Sequence, residues 1–261
     1  MLVKQIYAEN NYRNFHYLIA CPETKDALVI DPLDVKRCLD AAAVEGWNIT
    51  QILNTHEHPD HINGNPEMVK ATGAKILAHH GAKIPNIDIH LKAGDIIKIG
   101  TTVELNVMDT PGHTMSHVCA YADGDNPALF CGDTLFNAGA GNCHNGGHPE
   151  ELYETFVNQL ATLPDNTRIF PGHDYIVGNL KFSLDREPGN PAAEAMLEKL
   201  RDQDPHNAYV TTLAEEKTFN TFFRLTSPGV IAALKGTTQD PGDSPDEKKV
   251  FLALRALRND W

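Results

Sequence analysis

The sequence predicts an α/β protein in which the strands come first and the last third of the chain is helical. Up to about residue 174, short apolar runs typical of strands alternate with loops and a few helices. From about residue 175 this alternation stops, and apolar residues recur at helical spacing instead. We therefore expect two domains, residues 1–174 and residues 175–261.

The predicted elements of the first domain follow from apolar spacing and from capping residues. Asp34 suits the N-cap of a helix whose apolar residues recur every three or four positions until Gly46. A second helix is predicted over residues 149–163, where large apolar residues share one face. Short apolar or alternating runs predict strands at residues 49–53, 103–107, 128–131 and 167–170.

Two amphipathic helices are predicted in the second domain, over residues 191–201 and 245–258. The later helix has an apolar stripe that includes Val250 and Leu254. The segment TTQDPGDS at residues 237–244 is rich in turn-forming residues, so we expect a loop between helices there.

Charge and hydropathy exclude several classes of protein. The 261 residues include 22 Lys and Arg against 35 Asp and Glu, which gives a formal net charge of −13. This acidity argues against binding to nucleic acid, which requires a basic face. Hydrophobic residues make up 41% of the chain and support a packed core, but no apolar run approaches the ~20 residues of a membrane span. We expect no nucleic-acid partner, no membrane association, and a monomer or small homo-oligomer.

The cysteine pattern predicts a protein with reduced thiols. The five cysteines are widely spaced and include no C-x-x-C pair, unlike a disulfide framework or a thiolate zinc site. The N-terminal residues also lack the apolar stretch of a signal peptide. We therefore expect a cytoplasmic location.

Histidines are concentrated in one short segment. Three of the 13 histidines fall with an aspartate in THEHPDH at residues 55–61, directly after a predicted strand. Without a metal, so many ionisable side chains in one loop would suffer desolvation and mutual repulsion. The segment therefore predicts four metal ligands, namely His56, His58, Asp60 and His61.

Three later segments repeat this arrangement, since each places one His or Asp on a Gly-containing turn after an apolar strand. DTPGHT, GDT and PGHD present His113, Asp133 and His173. Seven candidate ligands are too many for one tetrahedral ion, which needs about four, and one short of two independent sets. A carboxylate shared between two ions resolves this count. Imidazole and carboxylate ligands suit Zn²⁺, Fe or Mn²⁺ and do not distinguish among them, and we expect two divalent ions.

These motifs resemble a known superfamily. THEHPDH matches the H-x-H-x-D-H signature of the metallo-β-lactamase fold, and the later His, Asp and His match its remaining motifs in order. The second half narrows the resemblance to glyoxalase II (hydroxyacylglutathione hydrolase) and extends it over essentially the whole chain. The segments that carry it are GHDY at 172–175, NLKF at 179–182, EPGNP at 187–191, TLAEE at 212–216, NTFFR at 220–224 and VFLALR at 250–255.

The resemblance implies an αββα four-layer sandwich, the metallo-β-lactamase fold, followed by a C-terminal helical domain that binds substrate. The ligands it implies are His56, His58 and His113 for one ion, Asp60, His61 and His173 for the other, and Asp133 as a bridge. It makes Asp60 and Asp133 catalytic residues of a reaction in which a metal-bridging hydroxide attacks the thioester carbonyl. The implied reaction hydrolyses S-2-hydroxyacylglutathione, such as S-lactoylglutathione, to a 2-hydroxy acid and glutathione.

Other polar residues near these motifs have supporting roles in this interpretation. Ligating histidines usually donate their second N–H to a carboxylate or a carbonyl. Asp31, Glu57 and Asp174 are placed to be considered as such partners. His117 follows a predicted ligand by four residues, and we expect it to support that loop rather than to bind metal.

The substrate-binding residues that the resemblance implies are only partly retained. Tyr175 and Arg224 match the family, but a lysine that usually follows N-x-F-x-R is missing. In the Cys-Gly-Lys/Arg-Phe-Tyr/Phe-Glu-Gly stretch of the family, Asn142 stands at the basic position and His144 at the following aromatic one. We expect these four residues to contact the substrate, with fewer cations available for the two carboxylates of glutathione.

Other functions stay open at this point. A related hydrolase of another thioester or of a lactone would account for the altered stretch at residues 142–147. A persulfide dioxygenase would use one iron, held by two histidines and an aspartate, and leave the second ligand set without a role. A structural or regulatory metal domain needs only about four ligands, fewer than the seven candidates. The acidic charge disfavours RNA hydrolysis.

Overall fold

A computed structural model describes all 261 residues, Met1 to Trp261. Two β-sheets pack face to face around one apolar core, and helices cover both outer faces. This is the four-layer α/β/β/α arrangement that the family resemblance implies, and both sheets mix parallel and antiparallel strands.

The first sheet contains six strands in sequence order. They are β1 (Leu2–Tyr7), β2 (Phe15–Ala20), β3 (Asp26–Ile30), β4 (Asn48–Leu53), β5 (Lys75–His79) and β6 (Ile89–Leu91). Strands β1 to β3 pair antiparallel and β3 to β6 pair parallel. Two helices, α1 (Val35–Glu45) and α3 (Asn65–Thr72), cover its outer face, and the short α2 (Pro59–Ile62) lies between them in sequence.

The second sheet contains five strands in the order β13-β10-β9-β8-β7. They are β7 (Ile96–Ile99), β8 (Val103–Asp109), β9 (Val118–Ala122), β10 (Ala128–Gly132) and β13 (Arg168–Pro171). Only β10 and β13 pair parallel. Between them in sequence, β11 (Leu135–Phe136) and β12 (Gly139–Ala140) form a separate hairpin.

Helices form the outer layer over the second sheet, and no strand follows Pro171. They are α4 (Pro149–Asn158), α5 (Ile176–Arg186), α6 (Pro191–Lys199), α7 (Leu213–Phe219), α8 (Pro228–Leu234) and α9 (Glu247–Asn259). Phe222 and Phe251 pack with α4 and with the outward side chains of β9 and β10 in one core. No helix of the chain combines the length and the hydropathy that crossing a membrane requires.

Successive side chains of a strand point to opposite faces, so one strand contributes both to the core between the sheets and to the core beneath the helices. In β2, Phe15, Tyr17 and Ile19 point into the core between the sheets, whereas Leu18 points to the core beneath α1. Tyr17 packs edge-on against Phe130 of the other sheet, with ring centroids 5.5 Å apart. Aromatic packing between the sheets therefore fixes their face-to-face contact.

The predicted elements are present, with one change at α4. Asp34 caps α1 by accepting a hydrogen bond from the Arg37 N–H, and Gly46 ends it with a φ of 69°. The helix predicted over residues 149–163 ends at Asn158, and a separate 3-10 turn follows. The break occurs because Gln159 leaves the helical conformation and its side-chain N–H donates to the Asp109 carbonyl, at 2.8 Å.

Candidate metal centre

Four loops that leave strand ends meet at one edge of the two sheets. The loops follow β4, β8, β10 and β13, and they carry the predicted ligands His56, His58, Asp60, His61, His113, Asp133 and His173. All seven ligands lie together, and only His58 and Asp60 are more than slightly exposed. Strand ends on a rigid scaffold hold such side chains in fixed positions.

Three histidines form the first group. Nε2 of His56 and Nε2 of His113 each lie 3.0 Å from Nδ1 of His58. Nitrogens on a tetrahedral zinc ion with Zn–N bonds of about 2.0–2.1 Å are roughly 3.3 Å apart. The three nitrogens therefore converge at nearly the spacing that a single ion requires.

Asp60, His61 and His173 form the second group. Oδ2 of Asp60 lies 3.4 Å from Nε2 of His61 and 3.5 Å from Nε2 of His173. Asp133 reaches both groups, because its Oδ2 lies 3.1 Å from Nε2 of His173 and 3.6 Å from Nε2 of His113. The carboxylate of Asp133 therefore lies within contact distance of both groups.

Two buried atoms of this cluster have no hydrogen-bond partner, Nε2 of His61 and Oδ1 of Asp133. They lie 3.5 Å apart. Buried polar atoms are nearly always paired, so such a pair requires an explanation. A cation coordinated by both atoms would satisfy them, and the residues present therefore fit a metal.

The remaining ring nitrogens bind acceptors on the far side of each imidazole. Nε2 of His58 faces the Asn145 carbonyl at 3.0 Å, and Nδ1 of His113 faces the Asn142 carbonyl at 2.6 Å. Nδ1 of His61 faces the Asp31 carboxylate at 2.9 Å, and Nδ1 of His173 faces the Tyr12 carbonyl at 2.7 Å. Each acceptor fixes the ring orientation and the tautomer, which leaves the inner nitrogen free to coordinate.

The electrostatics suit a cation as well. Burial lowers the pKa of His56 well below its usual value and that of His113 to about 4, so both rings are neutral, the form that binds metal. Burial would also lower the pKa of His61, but the carboxylates of Asp133 and Asp31 outweigh it and raise that pKa well above its usual value. Positive charge is therefore stabilised at this point of the cluster.

Glycines allow two of the ligand loops to approach each other. A Cβ atom on Gly172 would lie 2.3 Å from Oδ1 of Asp133. Gly132 has a φ of 46°, and a Cβ there would lie 2.6 Å from Oγ1 of Thr55. Both turns therefore require a residue without a side chain at these positions.

His117 and Glu57 support the loops instead of joining the cluster. The backbone N–H of Asp133 donates to Nε2 of His117 at 3.2 Å, and Nδ1 of the same ring lies 3.0 Å from Oγ1 of Thr134. Glu57 accepts hydrogen bonds of 2.8 and 2.7 Å from the hydroxyl of Ser116. These contacts connect the loop after β4 and the loop of Asp133 to the segment that follows His113.

A cavity of about 520 Å³, the metal cavity, opens over the ligands. Besides ligands, it is lined by Tyr12, Leu33, Pro59, Asn63, Asn142, Asn145 and Tyr175. A second cavity of about 230 Å³, the arginine cavity, shares Asn142 and Tyr175 with it. The ring of Tyr175 stacks on that of His173, with centroids 4.8 Å apart. Three predicted substrate contacts, Asn142, His144 and Tyr175, therefore line one or both cavities.

Arg224 does not join them, and the expectation for this residue needs correction. It lines neither cavity, because its Nε and Nη2 bind the two carboxylate oxygens of Glu187 at 2.5 and 2.7 Å. Ser227 donates to the same carboxylate. The guanidinium is therefore held by a neighbouring carboxylate within the helical region.

The sequence interpretation missed two cations that do line the arginine cavity, Arg255 and Arg258 on α9. Their hydrogen bonds go to carbonyl and side-chain amide oxygens, not to carboxylates. Arg255 is 3% exposed and donates to the carbonyls of Ala140 and Gly141, and burial lowers its pKa to about 10. Arg258 donates to Oδ1 of Asn179 at 3.2 Å. Their spacing of three residues near the end of an amphipathic helix is the signal that could have indicated them.

The fold and the clustered ligands define a protein of the metallo-β-lactamase superfamily, whose model matches residues 15–173. The model of the hydroxyacylglutathione hydrolase C-terminus matches residues 174–261. The chain belongs to the hydroxyacylglutathione hydrolase family, and the resemblance inferred from the motifs is confirmed.

Individual relatives agree with this assignment. Proteins described as hydroxyacylglutathione hydrolase from Nitrosococcus oceani and from a Polaromonas species are 60% and 58% identical to the chain, over 100% of both sequences in each comparison. Among solved structures, ETHE1 from Myxococcus xanthus is 26% identical and superposes with a TM-score of 0.69. That comparison covers 99% of this chain and 98% of the other.

Proposed function

We propose that the chain hydrolyses S-2-hydroxyacylglutathione, such as S-lactoylglutathione, to a 2-hydroxy acid and glutathione. The observation that carries this proposal is the position of Asp133 between two ligand groups, beside a cavity lined by two arginines that donate to neutral oxygens of the protein. The full-length relatives described as hydroxyacylglutathione hydrolases support it.

The two ligand groups would hold two divalent ions, with Zn²⁺ preferred and Fe or Mn²⁺ as alternatives. His56, His58 and His113 would hold the first and Asp60, His61 and His173 the second, with Asp133 shared. When bound, such a pair supplies a hydroxide at neutral pH and polarises the thioester carbonyl. The completeness of both groups disfavours a dioxygenase that uses a single iron.

The two carboxylates of the cluster would have different tasks. Burial would raise the pKa of Asp60, but hydrogen bonding and charge from His61 outweigh it and keep this group ionised. Its Oδ2 accepts a hydrogen bond from the side-chain amide of Asn14 at 3.1 Å and faces the metal cavity. Asp60 is therefore placed to orient the attacking water, while the more buried Asp133 holds the two ligand groups together. A thiolate leaves readily, so no further acid is required.

The arginine cavity would bind the glutathione part of the substrate. Glutathione carries two carboxylates, and Arg255 and Arg258 offer positive charge while they donate only to neutral oxygens of the protein. Asn142, His144 and Tyr175 would contact the same part, because all three line this cavity. These arginines compensate for the basic positions that the sequence lacks elsewhere.

In this proposal the two parts of the chain supply different residues of the site. Residues 1–174 would carry all seven ligands, and residues 175–261 would supply Tyr175 and the arginines. The two family models meet between residues 173 and 174 and support a boundary there. A cytoplasmic location and a monomeric or small homo-oligomeric state stay predictions.

Purified, metal-loaded protein incubated with S-lactoylglutathione tests the proposal. We expect loss of the thioester with release of one free thiol per turnover. A chelator should abolish the reaction, and divalent metal should restore it. No turnover by protein with both metal positions filled would refute the glutathione thioester as substrate, and oxygen consumption with one iron per chain would favour the dioxygenase.

A further inference from the structure

We propose that Tyr12, Leu33, Pro59 and Asn63, together called the acyl wall, form a subsite for the acyl part of the substrate. These four residues determine how well the metal cavity accepts bulky and charged acyl groups. This inference rests on the proposed thioester hydrolysis and adds the feature of the substrate that the metal cavity selects.

The first argument is the order of features along the two cavities. The arginine cavity and the metal cavity adjoin each other, because Asn142 and Tyr175 line both. A thioester whose anionic thiol part contacts Arg255 and Arg258 presents its carbonyl to the ligand cluster. Its acyl group must then occupy the part of the metal cavity that the arginine cavity does not share. The acyl wall lines that part.

The second argument is that the loop of Tyr12 is held by the metal ligands themselves. His173 donates from Nδ1 to the Tyr12 carbonyl at 2.7 Å, and the Asn14 side chain donates to Asp60 at 3.1 Å. Arg13 forms an ion pair with Asp174 at 2.5 Å, next to that histidine. The backbone at Tyr12 is therefore fixed relative to the reaction centre, and its side chain is 61% exposed.

The third argument is the chemistry of the acyl wall. None of its four residues is charged, so the wall itself offers no cation to pair with a carboxylate on the acyl group. Tyr12 is the one exposed large apolar or aromatic side chain of the protein that lines the metal cavity. An aromatic acyl group packed against Tyr12 and Leu33 would remove apolar surface from water on both sides.

Steady-state kinetics with thioesters of one thiol isolate the acyl contribution. The substrates are S-lactoyl-, S-mandeloyl- and S-succinylglutathione, which carry a small, an aromatic and a carboxylate-bearing acyl group. For the wild-type holoenzyme we expect S-succinylglutathione to have the lowest kcat/KM. Tyr12→Ala and Leu33→Ala should each lower kcat/KM for S-mandeloylglutathione about tenfold, and for S-lactoylglutathione less than about threefold. Tyr12→Phe should retain the mandeloyl rate, since it keeps the aromatic face.

A matched control and a gain of activity complete the test. Val44→Ala removes an apolar side chain that is 83% exposed on α1, outside both cavities, and should change none of the three rates. Asn63→Lys places a cation in the acyl wall and should raise kcat/KM for S-succinylglutathione relative to S-lactoylglutathione. Metal content is measured for every variant, because the Tyr12 carbonyl supports His173.

The outcomes separate the two proposals. Hydrolysis of no thioester by the metal-loaded wild type would refute the proposed function. Hydrolysis of all three, with Tyr12→Ala and Leu33→Ala changing them equally or not at all, would refute the acyl wall alone. Unchanged discrimination against S-succinylglutathione in Asn63→Lys would likewise contradict it.

Discussion

Nδ1 of His61 lies 2.9 Å from Oδ2 of Asp31, and both side chains are fully enclosed by the protein. Asp31 also accepts hydrogen bonds from the backbone N–H and the hydroxyl of Thr55, at 2.9 and 2.6 Å. A carboxylate fixed by three donors thus orients a histidine whose opposite nitrogen faces Asp60 and Asp133. A residue after β3 thereby controls a ligand in the loop after β4.

Asp31→Asn should weaken the second metal position. The amide keeps the shape, and asparagine tolerates the left-handed φ of 49° at this position as well as aspartate does. Loss of the negative charge beside His61 should lower metal affinity about 10- to 100-fold, as is typical for such outer partners. Metal titration of the purified variant measures this. Asp34→Asn, which alters a helix cap three residues away, should leave the affinity unchanged.

Asp133→Asn should affect both metal positions together. The substitution removes the charge that lies 3.1 Å from His173 and 3.6 Å from His113. We expect fewer than two ions per chain and at least about a 100-fold loss of kcat, because a direct ligand contributes more than an outer partner. Elemental analysis and thioester kinetics on the same preparation check this. The control is Asp165→Asn, which removes an exposed carboxylate that pairs with Lys217. If the Asp133 variant hydrolysed the thioester at the wild-type rate, a purely structural role for the metals would be favoured instead.

Substitutions of two arginines should change different properties, KM in one case and stability in the other. Arg258→Met removes a cation of the arginine cavity and should raise KM about 10- to 100-fold with little change in kcat, because a charge-assisted hydrogen bond contributes about 1.5–3 kcal/mol. Arg224→Met leaves the Glu187 carboxylate without its bidentate partner and should lower stability by about 2 kcal/mol with KM unchanged. Kinetics and chemical denaturation distinguish the two. A KM effect confined to Arg224→Met would restore the original sequence-based expectation.

Glu216 on α7 should make stability depend on pH. Burial raises its pKa from 4.5 to about 7, although Thr211, Asn220, Ala138 and Asn137 all donate to the carboxylate. The folded state therefore binds this proton more tightly than the unfolded state, and stability falls as pH rises from about 4.5 to about 7. The free energy of unfolding of the wild type minus that of Glu216→Gln should fall by roughly 2–3 kcal/mol between pH 5 and pH 8. Denaturation at both pH values measures it, and a constant or rising difference would contradict this burial effect.

The clustering of the seven candidate ligands could be predicted from the sequence because each lies in a loop that follows a short apolar strand. Local patterns of this kind do not need the tertiary structure to be recognised. The partners that come from distant segments could not be found in the same way. Arg255 reaches the site only through the packing of α9, which brings it to the carbonyls of residues 140 and 141. The pairing of Arg224 with Glu187, 37 residues earlier, removed a predicted substrate contact for the same reason.

The loop of Tyr12 shows a further limit of sequence reasoning. Its residues carry no periodic pattern or metal motif, and its position depends on hydrogen bonds to His173 and Asp60 from other loops. The end of α4 is a smaller case, since apolar spacing continued to residue 163 while Gln159 was bound by the Asp109 carbonyl. In both places a long-range hydrogen bond determined the backbone.

Titration of the metal-free protein with Zn²⁺, while the hydrolysis rate of S-lactoylglutathione is followed, tests the central claim most directly. The two ligand groups joined by Asp133 predict that activity reaches its maximum as the second ion per chain is bound. Full activity at one ion per chain, or no hydrolysis at two, would contradict a binuclear thioester hydrolase.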